Sequence, residues 1–311
     1  MAISSVQEAD SSVTGGGERF PDFFICGAAK SGTTSLWRYL QQHPEVFMPR
    51  TEANKEPGYF SRFRPLNDRQ QYVDLFRDAS EHQLVGEASG AYLTSPDSAS
   101  RIAEAVPDAK IIIMLRNPAD RAYSLYEWMA KEGYEYARTF EEALRLEETR
   151  RYDNPEFRDE NPEYYFNYLY FHSGLYAKQV ERYVKKFGCS QLLFIVFEQF
   201  ISDTLHCTKK AFRFLGVEES CKPSMDVHNK GKSVWSPPLQ FALRTYFEPI
   251  ARRGFGKIGS DWIHRLMQVN ERPKSRTLNS SLRRRLLNRY RDNIRRTSSL
   301  IDEDLEAIWL N

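Results

Sequence analysis

The chain has 311 residues, of which 41% are hydrophobic and 28% charged, a balance that excludes wholesale disorder and permits a packed core. Its formal net charge of +2 is too small to indicate a nucleic-acid partner, so we expect none. Residues 1–20 are polar and lack the charged start and apolar stretch of a signal peptide, and no later run reaches the roughly 20 apolar residues of a membrane helix. We therefore expect residues 1–20 to be a flexible leader on a cytoplasmic protein without a membrane span.

The cysteines show no metal-binding or redox spacing. No CxxC pair occurs among the four of them, which is typical of free thiols in a reducing compartment. They are Cys26, Cys189, Cys207 and Cys221.

Strand-like and helical patterns alternate along the chain. Short apolar runs predict strands at residues 22–27, 85–87, 110–115 and 192–197. Apolar residues at helical spacing predict helices at residues 33–42, 97–105, 117–131, 177–187, 204–215 and 280–296. This alternation predicts an α/β fold with a central parallel sheet flanked by helices, in a single domain spanning residues 21–311.

The segment from Gly27 to Leu36 joins the first predicted strand to the first predicted helix. Free backbone N–H groups and the helix dipole attract an anion at such a point, and glycine permits the tight turn. Lys30 adds a positive charge, while Thr33 and Thr34 add hydroxyl donors. The lysine precedes Gly32 by two positions, so the loop is not a Walker A motif. The pattern indicates an anion-binding loop, although an ordinary capped turn has the same composition.

A second basic position follows the strand predicted at residues 110–115. Arg116 comes directly after that strand, and Ser124 lies eight residues further on. A magnesium-dependent nucleotidase carries an aspartate at such a strand end. An arginine there suits a second phosphate held without metal, or else a structural salt bridge. We expect no metal site.

Taken together, these segments resemble the sulfotransferases that use 3′-phosphoadenosine-5′-phosphosulfate (PAPS). Residues 30–36 are similar to that family's 5′-phosphosulfate loop and residues 116–124 to its 3′-phosphate motif. Residues 228–232 resemble its late basic loop, and residues 55–60 the Lys-Glu-Pro-x-aromatic-Phe segment of the carbohydrate-type and bacterial branches. The tail at 300–309 also resembles those branches. The resemblance implies a P-loop-like three-layer fold, PAPS as co-substrate and no metal.

The same resemblance implies roles for individual residues. It makes Glu56 the general base and Lys30 a catalytic cation, with His228 as an alternative base; without it, Glu56 would be a surface residue beside Lys55. The positions that it assigns to nucleotide binding are Lys30, Ser31, Gly32, Thr33, Thr34, Ser35, Arg116, Ser124, Lys230, Gly231 and Lys232.

The predicted activity is sulfuryl transfer to a hydroxyl or amine of a small molecule or carbohydrate. Ala88 stands where heparan-type members often carry a lysine, which argues against a heparan-like acceptor. The aromatic stretch at residues 152–171 is predicted to be mostly a packed helix, part of which could wall the acceptor pocket. Two alternatives stay open: a metal-dependent nucleotide kinase and an inactive nucleotide-binding scaffold. The identity of the acceptor and the oligomeric state are left open too.

Overall fold

The computed structural model describes residues 19–51, 55–62, 66, 68–161, 165–225, 232–273 and 277–310, and of Arg150 the backbone alone. The predicted leader therefore lies almost wholly outside the described residues. All four cysteines are free thiols.

A five-stranded sheet lies at the centre of the molecule, and every neighbouring pair in it is parallel. Its spatial order is β2-β3-β1-β4-β5. The strands are β1 (Phe23–Ile25), β2 (Val46–Phe47), β3 (Leu84–Ala88), β4 (Lys110–Leu115) and β5 (Leu192–Val196). The α/β fold with a parallel sheet is confirmed, and β2 is a short edge strand that the apolar pattern did not reveal.

The sheet separates two hydrophobic cores. Along β4, Ile111, Ile113 and Leu115 face one core, while Ile112 and Met114 face the other. Side chains of successive strand residues point to opposite faces, and a strand that is buried on both faces must be apolar throughout. Helices cover both faces and give the predicted three layers.

The helices begin and end close to the predicted residues. The strand at 110–115 and the helix at 204–215 match residue for residue. The α-helices are α1 (Thr33–Gln41), α2 (Arg69–Asp74), α3 (Ala91–Thr94), α4 (Ser98–Ala105), α5 (Pro118–Lys131), α6 (Phe140–Leu146), α7 (Pro155–Glu160), α8 (Tyr176–Lys186), α9 (Phe197–Ser202), α10 (Thr204–Leu215), α11 (Pro237–Ala242), α12 (Glu248–Val269), α13 (Ser280–Ile301) and α14 (Leu305–Trp309).

The aromatic segment 152–171 is packed, but the prediction of one helix there is wrong. It contains the short helix α7 and a 3-10 turn at Tyr165–Tyr168. Next to it, Arg151 donates to both carboxylate oxygens of Glu135 at 2.6 and 2.9 Å, and Tyr170 donates to the same carboxylate at 2.7 Å. The backbone turns before α7, where Asp153 has a positive φ of 55° and Pro155 begins the helix, so one continuous helix does not form.

Residues 232–273 form a separate unit, here called the 232–273 hairpin. The sequence analysis did not predict it. Strands β6 (Lys232–Val234) and β7 (Glu271–Pro273) pair antiparallel at its base. Between them, α11, a π-helical turn at Leu243–Phe247 and α12 lead out and back. Gly256 has φ 57° and ψ −137°, which breaks α12 into two arms. Gly259 lies so close to Ala251 of the other arm that a Cβ there would be 2.2 Å from the Ala251 carbonyl oxygen.

The base of this hairpin rests on the end of α5. Gln240 donates to the carbonyl of Lys131 at 2.9 Å, and Arg244 donates to the carbonyl of Glu132 at 3.0 Å. These bonds satisfy carbonyls at the carboxyl end of α5, which have no partner within the helix.

Candidate active site

The candidate site lies at the carboxyl edge of the sheet, between β1 and β4. The connection after β1 leads towards β2 on one side, and the connection after β4 leads towards β5 on the other. Ligands of open parallel sheets bind in the crevice at such a switch point. The two segments predicted to bind anions, residues 27–35 and Arg116, leave these two strands.

The loop after β1 is shaped for a close-lying ligand. Lys30 and Gly32 have positive φ values of 68° and 90°. Gly32 precedes α1 and provides no side-chain cap, so the first N–H groups of the helix are open to an anion. Thr33 and Thr34 begin that helix, and Ser35 completes its first turn. An uncapped helix start beside a lysine fits a phosphosulfate group.

Lys30 and Arg116 come together at this point. The Arg116 guanidinium donates to the Lys30 carbonyl at 3.0 Å and lies 4.5 Å from the centre of the Phe197 ring. The Lys30 ammonium lies 5.5 Å from the centre of the Trp128 ring. Burial lowers the pKa of Arg116, although nearby carboxylates partly offset this effect. Lys30 and Arg116 therefore lie next to each other at the carboxyl edge of the sheet, while their nucleotide-binding roles stay predictions.

The C-terminal helix α14 helps to hold the turn after β4 in place. Glu198 accepts from the Asn117 backbone N–H at 3.0 Å and from the indole N–H of Trp309 at 2.9 Å. Tyr176 donates to the Arg116 carbonyl at 2.9 Å. Ser124 lies half-buried along α5, two turns beyond Arg116. Through the contacts of Glu198 and Trp309, the C-terminal tail packs against the turn that carries Arg116.

Glu56 lies in a turn that packs against the end of β3. Lys55, almost fully buried, donates to the Glu56 carboxylate at 2.7 Å, while the side chain of Glu56 is 38% exposed. The backbone N–H of Gly58 donates to the Ser89 hydroxyl at 3.1 Å. The next residue, Gly90, packs against the loop after β1, since its carbonyl oxygen would be 2.9 Å from a Cβ on Gly27. Contacts through the end of β3 thus join the turn of Glu56 to the loop of Lys30.

A second carboxylate, Glu87, was missed by the sequence reasoning. It is fully buried in β3 and accepts from the Ser89 hydroxyl at 2.6 Å and from the Tyr72 hydroxyl. Burial raises the pKa of Glu87 to about 7, an effect that its hydroxyl donors reduce and that the charge of Glu56 increases. Tyr72 also stacks on Tyr59 of the Glu56 turn, with ring centres 4.3 Å apart. The one signal in the sequence was a glutamate in an otherwise apolar strand.

Comparison with known proteins decides the family. The model of the sulfotransferase domain family matches residues 20–230. The chain belongs to the sulfotransferase family. A crystal structure of a sulfotransferase from Alicyclobacillus acidocaldarius superposes with a TM-score of 0.70 at 31% identity, covering 94% of this chain and 100% of that one. The central parallel sheet with helices on both faces is the P-loop-like fold of this family.

Two curated mouse relatives are heparan sulfate enzymes. The bifunctional heparan sulfate N-deacetylase/N-sulfotransferase 4 is 30% identical over 204 residues, which are 64% of this chain and 23% of that enzyme. Heparan sulfate glucosamine 3-O-sulfotransferase 3A1 is 26% identical over 204 residues, which are 65% of this chain and 47% of that enzyme. The matches therefore span less than half the length of these two relatives.

The late basic loop of the sulfotransferase is only partly described. Lys230, Gly231 and the alternative base His228 lie outside the described residues. Lys232 begins β6, where its exposed ammonium donates to the carboxylate of Glu271 at 2.6 Å. The nucleotide-binding role of this loop stays a prediction.

The described ranges contain neither a cluster of metal-ligating side chains nor a helix that could cross a membrane. Within these ranges, no three His, Cys, Asp or Glu side chains cluster as a metal site. No helix there is both long and apolar enough to cross a membrane.

Proposed function

We propose that this sulfotransferase moves a sulfuryl group from PAPS to a hydroxyl or amine of a small-molecule or carbohydrate acceptor. The observation that carries the proposal is the contact between Arg116 and Lys30 at the switch point of the sheet. It joins the Arg116 guanidinium to the backbone of the loop that carries Lys30 and the uncapped start of α1, where a nucleotide with two anionic groups fits without metal.

The donor site divides into two anion-binding parts. Lys30 and the N–H groups at the start of α1, with the hydroxyls of Ser31, Thr33, Thr34 and Ser35 nearby, would hold the 5′-phosphosulfate. Arg116 and Ser124 would hold the 3′-phosphate. The Ser31 hydroxyl is buried and has no hydrogen-bond partner among the described residues, which supports a polar ligand at this loop.

The reaction needs a base and stabilisation of the leaving phosphate. When bound, PAPS supplies the sulfuryl group, whose bond to the 5′-phosphate oxygen breaks as the acceptor attacks sulfur in line. Glu56 takes the proton that the acceptor loses as the new bond to sulfur forms. Lys30 and the α1 N–H groups stabilise the negative charge that remains on the 5′-phosphate. Lys55 orients the Glu56 carboxylate through its hydrogen bond of 2.7 Å.

The acceptor class is the broadest part of the proposal. Carbohydrate acceptors are supported by the two heparan sulfate relatives, whose names state that substrate. Ala88, buried at the end of β3, stands where heparan-type members often carry a lysine, and this argues for a different acceptor. We therefore propose a small molecule or a carbohydrate other than heparan.

Transfer from PAPS should proceed in the presence of a metal chelator. The enzyme would be incubated with PAPS and a metabolite extract, and products would be identified by a mass gain of one SO₃ group, with release of 3′-phosphoadenosine 5′-phosphate. Loss of activity on chelation and its return with magnesium would contradict transfer without metal, whereas magnesium-dependent phosphate transfer would support the kinase alternative. Absence of turnover with PAPS bound would support the inactive scaffold.

Arg116→Ala should weaken binding of 3′-phosphoadenosine 5′-phosphate more than tenfold. A charge-assisted hydrogen bond contributes roughly 1.5–3 kcal/mol, and about 1.4 kcal/mol corresponds to tenfold in affinity. Ser124→Ala should act in the same direction with a smaller effect. Calorimetric titration measures both changes.

Two controls isolate the 3′-phosphate. Adenosine 5′-phosphosulfate lacks this phosphate, so its affinity should change much less in both variants. Arg101→Ala removes an exposed arginine of α4 that is not part of the proposed site, and should leave both affinities unchanged. Equal losses for the two nucleotides in Arg116→Ala would show that Arg116 does not bind the 3′-phosphate.

A further inference from the structure

The 232–273 hairpin exposes large apolar side chains on its outer surface. Phe255, Ile258, Ile250 and Trp262 are 76%, 72%, 68% and 65% exposed, and Phe247 is 53% exposed. Contiguous apolar patches of this kind are rare on soluble monomers and mark interaction sites.

Helical periodicity separates the inner side of the hairpin from this outer surface. In the second arm, Ile263 and Met267 are buried against Leu243 and form the hairpin's own small core. Ile258 and Trp262, four residues apart, share the opposite stripe of the same helix. The packing of the hairpin therefore does not depend on these exposed side chains, and replacing them with smaller polar ones should leave the fold intact.

Basic side chains surround the apolar tip. Residues 252–258 are all exposed, and they include Arg252, Arg253 and Lys257. Of the two acidic residues in α12, Glu248 accepts from Ser260 at 3.3 Å within the hairpin, and Asp261 is exposed. The tip consequently presents positive charge together with aromatic and aliphatic side chains.

We propose that the 232–273 hairpin docks on an anionic lipid surface. The basic side chains at 252–257 would contact lipid phosphates, and Phe255, Ile258 and Trp262 would enter the interface between headgroups and acyl chains. A second copy of the chain fits this surface less well, because a two-fold contact would bring the arginines and lysine of both tips together. On a cytoplasmic protein, the inner leaflet supplies the required negative charge.

Docking would hold the active site close to the bilayer. The hairpin rests on the end of α5 through Arg244, which stacks 4.1 Å from the Tyr134 ring centre. Tyr134 lies 6.1 Å from Trp128, the ring beside the Lys30 ammonium. Attachment through the hairpin therefore places the crevice near the lipid without using any proposed catalytic residue.

Vesicle flotation of the full chain tests the proposal. The enzyme should float with phosphatidylcholine vesicles that contain about a third phosphatidylserine, and much less with pure phosphatidylcholine. The double change Phe255→Ser and Trp262→Ser should lower the partition coefficient at least about tenfold, because two large, exposed apolar side chains no longer enter the interface. The triple change Arg252→Glu, Arg253→Glu and Lys257→Glu should abolish the preference for phosphatidylserine.

Matched controls and the contrary outcomes complete the experiment. Ile201→Ser removes an aliphatic side chain that is 61% exposed outside the hairpin, and Lys186→Glu reverses an exposed charge on α8. Both should float like the unchanged chain, and every variant should keep its circular dichroism and its affinity for 3′-phosphoadenosine 5′-phosphate. Absence of flotation, or flotation unchanged in both hairpin variants, overturns the proposal. A dimer in sedimentation that the Phe255 and Trp262 changes dissociate, without vesicle binding, would assign the surface to a second copy.

Discussion

Glu56→Gln should reduce turnover by about 10² to 10⁴ while leaving nucleotide affinity nearly unchanged. An acceptor hydroxyl is a poor nucleophile until a base takes its proton, and glutamine retains the size and hydrogen bonding of Glu56 without its basic carboxylate. Lys30 and Arg116 bind the nucleotide from the loops after β1 and β4, whereas Glu56 lies in the turn against β3. Single-turnover rates and calorimetric affinity for 3′-phosphoadenosine 5′-phosphate measure the two quantities separately.

A matched amide change serves as the control for Glu56. Glu104→Gln alters an exposed carboxylate of α4 and should leave both turnover and affinity unchanged. Near-normal turnover in Glu56→Gln would remove Glu56 from the mechanism and direct attention to His228. Loss of both nucleotide affinity and turnover would indicate that the loop after β1 is displaced. Glu56→Asp would distinguish this case, because it restores a carboxylate in the same turn.

Glu87→Gln should remove a pH-dependent loss of stability from the enzyme. Burial raises the pKa of Glu87 from 4.5 to about 7, so between these values the folded state keeps a proton that the unfolded state has released. The contribution of Glu87 to the free energy of unfolding is therefore fully present below about pH 4.5, and it is lost as the pH rises through 7. The full difference is on the order of 3 kcal/mol. Glutamine mimics the protonated acid and does not ionise.

Urea unfolding near pH 5 and near pH 8 measures this effect. The free energy of unfolding of the unchanged enzyme should fall relative to that of Glu87→Gln by up to about 3 kcal/mol between the two conditions. Exposed Glu104→Gln should track the unchanged enzyme at both values. Parallel pH profiles for Glu87→Gln and the unchanged enzyme would show that Glu87 is ionised in the folded protein throughout this range.

Much of the fold could be predicted from local sequence. An apolar run such as Lys110–Leu115 can be satisfied only by burial on both faces, and its pattern therefore defines the strand without tertiary information. Lys30 and Arg116 were each predicted after a strand. Because the carboxyl ends of parallel strands lie at one edge of a sheet, the fold brings these two residues within 3.0 Å of each other.

Features that depend on residues distant in sequence could not be predicted. Glu87 has its raised pKa because the core buries it, and no local pattern reports that burial. Arg151 and Tyr170 both donate to the buried carboxylate of Glu135, although they lie 16 and 35 residues from it in the chain. The surroundings of both carboxylates therefore depend on residues that only folding brings together.

The 232–273 hairpin shows the same division between sequence and structure. Its apolar and basic residues are visible in the sequence, and Ile258 and Trp262 have helical spacing. Whether such a stripe faces a core or solvent depends on which partner its helix meets. The break at Gly256 and the close crossing of Gly259 over Ala251 turn Ile263 and Met267 inwards. Sequence by itself determined four of the five strands of the parallel sheet and several of its flanking helices, because burial and strand direction follow from local pattern. Tertiary packing alone decided which carboxylates are buried and which apolar stripe is exposed, because both depend on neighbours that the chain brings together only on folding.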